Sequence, residues 1–96
     1  MTIPKTFNAS KLDVLPDEFR GALQQQRSLS QDEIDEIFAP YPRLNEQCRT
    51  VIVLRFGLRD GIPRTLREVG SHLGIQRERV RQIEAFSLAV VRYTAN

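Results

Sequence analysis

Ninety-six residues, 41% apolar and 27% charged, suffice for one small domain, or a smaller domain with an appendage. No run approaches the roughly 18 apolar residues of a membrane span, and the start MTIPKTFNAS lacks the basic-then-apolar order of a signal peptide. One cysteine, Cys48, and one histidine, His72, provide neither an internal disulfide nor a zinc set, so no metal or cofactor is expected and the expected compartment is the cytoplasm.

The formal charge of +2 conceals a division. Residues 1–42 carry four Lys/Arg against seven Asp/Glu, whereas residues 43–96 carry ten Arg, no Lys and five Asp/Glu. Arginine offers a flat fork of donors suited to phosphates and guanine edges. This polarity predicts a basic half that meets nucleic acid, against the plainer reading of surface charge segregated by chance.

In chain order, residues 1–9 have no periodicity and read as loose. A helix is predicted from about Pro16 to Gln26, with Pro16 in the first turn, Asp17 and Glu18 at the positive end of the dipole, and Phe19 and Leu23 four apart. Ser30 and Glu33 form an S-x-x-E capping box for a second helix, whose stripe is Ile34, Ile37 and Phe38 and whose end is Ala39-Pro40. Tyr41-Pro42 is a linker or sharp turn. The run Val51-Ile52-Val53-Leu54 has strand-like composition. Leu44, Cys48, Val51, Ile52 and Phe56 nevertheless recur at helical spacing, so a helix is predicted over 43–56, capped by Gly57.

Asp60-Gly61 and Pro63 make the next turn. Thr65 and Glu68 then form a second capping box, Leu66, Val69 and Leu73 line one face, and Gly74 closes the helix. Ile75 and Gln76 bridge to a last helix over 77–93. Helix, short turn with glycine, helix is the order of a helix-turn-helix. The fold class expected is all-α: a small helical bundle, with an acidic two-helix extension over 1–42 and the helix-turn-helix domain over 43–96.

Wound at about 100° per residue, the last helix gathers Val80, Ile83, Ser87, Val90 and Val91 on one side. Glu78, Gln82, Ala85 and Ala89 lie opposite, with Arg81 and Arg92 beside them and Arg77 on the edge. Arg can grip guanine O6 and N7, Gln can pair with adenine, and Glu can accept from cytosine N4. These types cluster near the helix N-terminus, the end that enters the major groove in helix-turn-helix proteins. The competing reading is a solvated surface laced by Glu78–Arg81 or Arg81–Glu84 pairs.

The blocks LRFGL, a DG-containing loop, RTLREVGSHLG and RERVRQIEA, in that order, closely resemble region 4 of the sigma-70 family of bacterial transcription initiation factors. The resemblance runs from about Leu44 to Arg92. It implies recognition of the upstream (minus-35) promoter element, with Arg77, Glu78 and Gln82 as base-reading positions and Arg81 on the DNA backbone. Arg49, Arg55, Thr65 and Arg67 are further phosphate candidates, and Gln76 stands where the family has a Ser or Thr phosphate donor. Family members also hold the flap-tip helix of the RNA polymerase β subunit in an apolar groove, for which Val51, Ile52, Leu54, Phe56 and Leu58 are candidates, although each taken singly reads more readily as plain core. After Ala85 the family continues with a basic helix end, whereas FSLAVVRYTAN leaves only Arg92 charged. Phe86 and Val90 are therefore candidate protein contacts, unless the acidic helices fold over them.

Nothing in residues 1–42 resembles the segments that melt promoter DNA, and Met1 reads as a genuine start. The expectation is a small stand-alone factor that binds double-stranded promoter DNA and RNA polymerase, either completing a split initiation factor with another sigma-like subunit or acting as a regulator. The expected setting is the nucleoid of a bacterial or phage-infected cell. The alternative is an interaction module that keeps the fold and binds polymerase, a sigma factor or a second copy of itself without reading DNA. An enzyme is not expected: His72 stands alone and the five glycines form no phosphate loop.

Overall fold

A computed structural model describes residues 14–94; the expected loose start over 1–9 lies outside them. The described residues form helices and connecting turns with no strand: α1 (Asp17–Gln24), α2 (Gln31–Phe38), α3 (Glu46–Phe56), α4 (Leu66–Leu73) and α5 (Arg77–Thr94). This is the all-α bundle expected.

Each boundary has a local cause. Pro16 precedes the first turn of α1, whose acidic residues Asp17 and Glu18 favour the positive helix end. That helix ends at Gln24, two residues earlier than the sequence suggests. Gln26 adopts φ 54, and the N–H of Arg27 reaches back to the oxygen of Ala22 at 2.8 Å. In α2 the capping box is complete: the Glu33 N–H donates to Ser30 Oγ (3.2 Å) and the Ser30 N–H to Glu33 Oε1 (3.0 Å).

The strand-like run 51–54 lies within α3, so periodicity prevails over β-branched composition. The helix begins at Glu46 rather than 43, because Leu44 is spent in a turn, its N–H donating to the Tyr41 oxygen (3.0 Å). Asn45 then caps α3 by accepting from the Cys48 N–H at 2.9 Å. Gly57 closes it at φ 66. A Cβ there would also lie 2.6 Å from the Ile62 carbonyl carbon and the Pro63 nitrogen, so the position is closed to other residues twice over.

A single apolar cluster runs from Leu15 to Val91 and takes side chains from all five helices. Phe19 of α1 meets Phe38 of α2 edge to face, centroids 5.0 Å apart, a geometry worth about 0.5–1.5 kcal/mol beyond burial. The buried Leu29 donates its N–H to the Leu58 oxygen at 2.8 Å, joining the α1–α2 connection to the loop after α3. The acidic and basic parts of the chain thus share one core. Val51, Ile52, Phe56 and Leu58 are at most 1% exposed, so these four groove candidates are core side chains. Val90, a candidate contact, is also buried, in keeping with its place on the inward face of α5.

Candidate nucleic-acid interface

Helices α4 and α5 pack on each other and both on α3, with a turn at Gly74, Ile75 and Gln76 between them. Thr65 starts α4 with a reciprocal box: the Glu68 N–H donates to Thr65 Oγ1 (3.1 Å) and the Thr65 N–H to Glu68 Oε1 (2.8 Å). These bonds, the backbone one foremost, hold the Glu68 carboxyl below the usual glutamate range. Gly74 ends α4 at φ 70, and the N–H groups of Gly74 and Ile75 both point to the Gly70 oxygen. Gly70 itself is buried, and a Cβ on it would stand 2.5 Å from the Ile75 oxygen. The α4–α5 turn is therefore seated directly on the glycine backbone.

From that turn α5 presents Arg77, Glu78, Arg79, Arg81 and Gln82 to solvent, while Val80 and Ile83 point into the core. The alternation follows from 3.6 residues per turn. Arg81 grips Glu78 with two donors, Nη2 to Oε2 at 2.6 Å and Nε to Oε1 at 2.9 Å. The Arg81 hydrogen bond depresses the Glu78 carboxyl, and Glu78 in turn raises the Arg81 guanidinium. The Gln82 side chain also contributes a hydrogen bond to that carboxylate. Arg79 reaches Gln82 Oε1 at 3.4 Å. The exposed surface set for a ligand is thus cationic at the N-terminus of a helix whose dipole adds partial positive charge there.

Arg67, Ser71, Gln76 and Arg77 line one shallow depression beside the turn, so α4 and α5 contribute to the same surface. Gln76 gives its carbonyl oxygen to the N–H groups of Arg79 (3.0 Å) and Val80 (3.2 Å). The Thr65 hydroxyl accepts within its capping box and is exposed.

Arg49 lies half-buried on α3, its guanidinium over the Phe38 ring and its Nε donating to the Leu44 oxygen at 2.9 Å. Arg55 is not placed to touch phosphate. It is 4% exposed and donates Nε to Glu84 Oε2 at 2.7 Å, an ion pair buried on both sides. Glu84 belongs with this pair rather than with Arg81. The signal for it was present on the helical wheel, since Glu84 falls among Val80, Ser87 and Val91 on the inward side. Arg79 was given no binding role from the sequence, and Asp60 was read as a turn residue without its partner Arg64, which it meets at 2.7 Å.

The second half of α5 differs in character. Ala85, Phe86, Ala89 and Tyr93 are exposed, Phe86 by 45%, with the Arg43 guanidinium 5.9 Å above its ring. Between α2 and α3 a trough is lined by Ile34, Val53 and Leu54 with Asp35, Glu46 and Arg49 at its sides, so Leu54 is the groove candidate that keeps some exposure.

The family described as Sigma-70, region 4, matches residues 42–92, in agreement with the resemblance. The RNA polymerase principal sigma factor HrdC of Streptomyces coelicolor is 54% identical over 46 residues, 48% of this chain and 14% of that protein. The RNA polymerase sigma factor SigA of a Bacillus species is 54% identical over 50 residues, 52% of this chain and 13% of its own length. The principal sigma factor HrdD of Streptomyces viridifaciens is 39% identical over 67 residues, 70% of this chain and 19% of the relative. The chain therefore spans less than a fifth of the length of these relatives. A match of 67 residues exceeds the 54 residues from position 43 onward, so it takes in at least 13 residues of the acidic part. No solved structure matches the chain.

Proposed function

Because the chain belongs to the sigma-70 region 4 family, we propose that it is a promoter-binding transcription factor whose α5 enters the major groove of a minus-35-type element. The observation that carries this reading is the outward set Arg77, Glu78 and Gln82 on the first two turns of α5, following directly on the Gly74 turn. In the groove, Arg77 and Gln82 donate to base edges and Glu78, steadied by Arg81, accepts from one. Arg81, Arg67, Gln76 and Thr65 meet phosphates, which fix register without carrying sequence information.

We assign the polymerase contact to the trough between α2 and α3, where the partly exposed Val53 and Leu54 receive an apolar helix of the β flap. The factor works in the cytoplasm of a bacterial or phage-infected cell, as part of a split initiation factor or as a regulator.

The test is selection from a randomised duplex pool by the wild-type protein, followed by titration of the selected and scrambled duplexes. Arg77→Ala and Gln82→Ala are each expected to lose about 1–3 kcal/mol of discrimination, roughly 5- to 150-fold. Unchanged preference in both variants refutes base reading.

A second reading, a partner-docking module that binds polymerase, a sigma factor or itself, is favoured by the exposed apolar stripe Ala85, Phe86, Ala89 and Tyr93. Failure to select any duplex, together with binding to purified RNA polymerase, decides for it.

A further inference from the structure

The buried Arg55–Glu84 pair has a geometry that packing alone does not require. Glu84 is the one acidic side chain on α5 turned inward, about 200° round the helix from Gln82 at 100° per residue. Arg55 holds it with Nε at 2.7 Å and extends Nη1 to the Arg64 carbonyl oxygen, also at 2.7 Å. The Arg64 N–H donates back to the Arg55 oxygen at 3.1 Å, and the Arg64 guanidinium is held by Asp60. Arg64 immediately precedes Thr65, the cap of α4. One guanidinium on α3 therefore ties down both helices of the helix-turn-helix, α5 by its side chain and α4 by its leading residue.

We propose that Arg55 and Glu84 are positioning residues that set the rotation of α5 about its own axis, and so the sequence discrimination of the proposed DNA-reading face. This rests on the promoter-binding reading above. The apolar neighbours Val80, Ile83, Val90 and Val91 fill space but attract without direction. A charge-assisted bond is directional. At a side-chain radius of about 5–6 Å, a 20° rotation carries an outward tip by roughly 2 Å. A hydrogen-bonding constellation tolerates about 0.5 Å. Slippage of that size leaves phosphate attraction intact and spoils base readout. A buried ion pair adds little stability over a well-packed apolar substitute, so its effect appears in specificity.

The decisive variant replaces both partners, Arg55→Met with Glu84→Met, leaving no buried charge unpaired. It is expected to keep its Tm within a few degrees and its affinity for scrambled duplex, while discrimination between selected and scrambled duplexes falls about tenfold. Residual dipolar couplings of the DNA-free protein read the attitude of α5 against α3 directly and should show it altered. Unaltered couplings, or full discrimination in the folded double variant, overturn the proposal; so does an equal loss on both duplexes. If the double variant does not fold, Arg55→Lys keeps the charge but cannot span Glu84 and the Arg64 oxygen together. It is expected to lose discrimination several-fold, and full retention also overturns the idea. A wild-type protein that selects no duplex rejects the DNA-reading function instead, while the couplings still judge the positioning role.

Discussion

Replacing Gly70 with alanine sets two known effects against each other at one site. Alanine in a helix interior gains about 1 kcal/mol over glycine. The new methyl would start 2.5 Å from the Ile75 oxygen, however, and carbon–oxygen contacts relax only near 3.5 Å, so a separation of about 1 Å is needed. The obstacle is backbone, and it is held: the Gly70 oxygen already accepts from Ile75 at 3.0 Å. Overpacking of this kind costs about 1–3 kcal/mol. The propensity gain is thereby cancelled or outweighed, with a net destabilisation of up to about 2 kcal/mol and a fall in Tm of up to roughly 15 °C for a domain of this size. Because Ile75 leads into α5, duplex discrimination should fall as well. Gly21→Ala is the control, since nothing lies within 4 Å of its Cβ and α1 should gain about 0.5–1 kcal/mol. Thermal unfolding followed by circular dichroism measures both. A Gly70→Ala protein stabilised as much as Gly21→Ala would refute the close-approach argument.

Glu84→Ala leaves the Arg55 guanidinium in the core without its carboxylate and should cost about 3–5 kcal/mol in urea unfolding; a loss below about 1 kcal/mol contradicts the buried pairing. Acid should also weaken the fold. The carboxyls of Glu33 and Glu68 are depressed first by backbone bonds at their capping boxes, and those of Asp60 and Glu78 by Arg64 and Arg81. A depressed carboxyl contributes stability that is present above its ordinary value and lost as pH falls through the folded one. Tm should hold down to about pH 5 and decline below, and a flat profile to pH 3 rules the mechanism out.

Helix ends were the most legible feature of the chain. Ser30 with Glu33, Thr65 with Glu68, and the glycines at 57 and 74 state their geometry within four residues, because caps are local chemistry. The start of α3 was less legible. Leu44 fits the helical stripe equally well from a turn, as its burial requires. Periodicity placed Val51, Ile52 and Phe56 on an apolar face but does not say whether that face meets a partner or the protein's own helices. The outward set on α5 was readable from spacing. The wheel turns Glu84 inward, but its pairing with Arg55 was not readable, since the two are 29 residues apart and nothing local to Arg55 marks it as buried.

The exposed cations of the helix-turn-helix surface, Arg67, Arg77, Arg79 and Arg81, are guanidinium groups throughout, and no lysine occurs beyond position 42. Guanidinium stays protonated at any physiological acidity and is not a substrate for the acyl transfer that neutralises amines. A cell that acetylates lysine side chains to loosen its proteins from nucleic acid has no purchase here. Ionic strength or a rival polyanion would have to do that work.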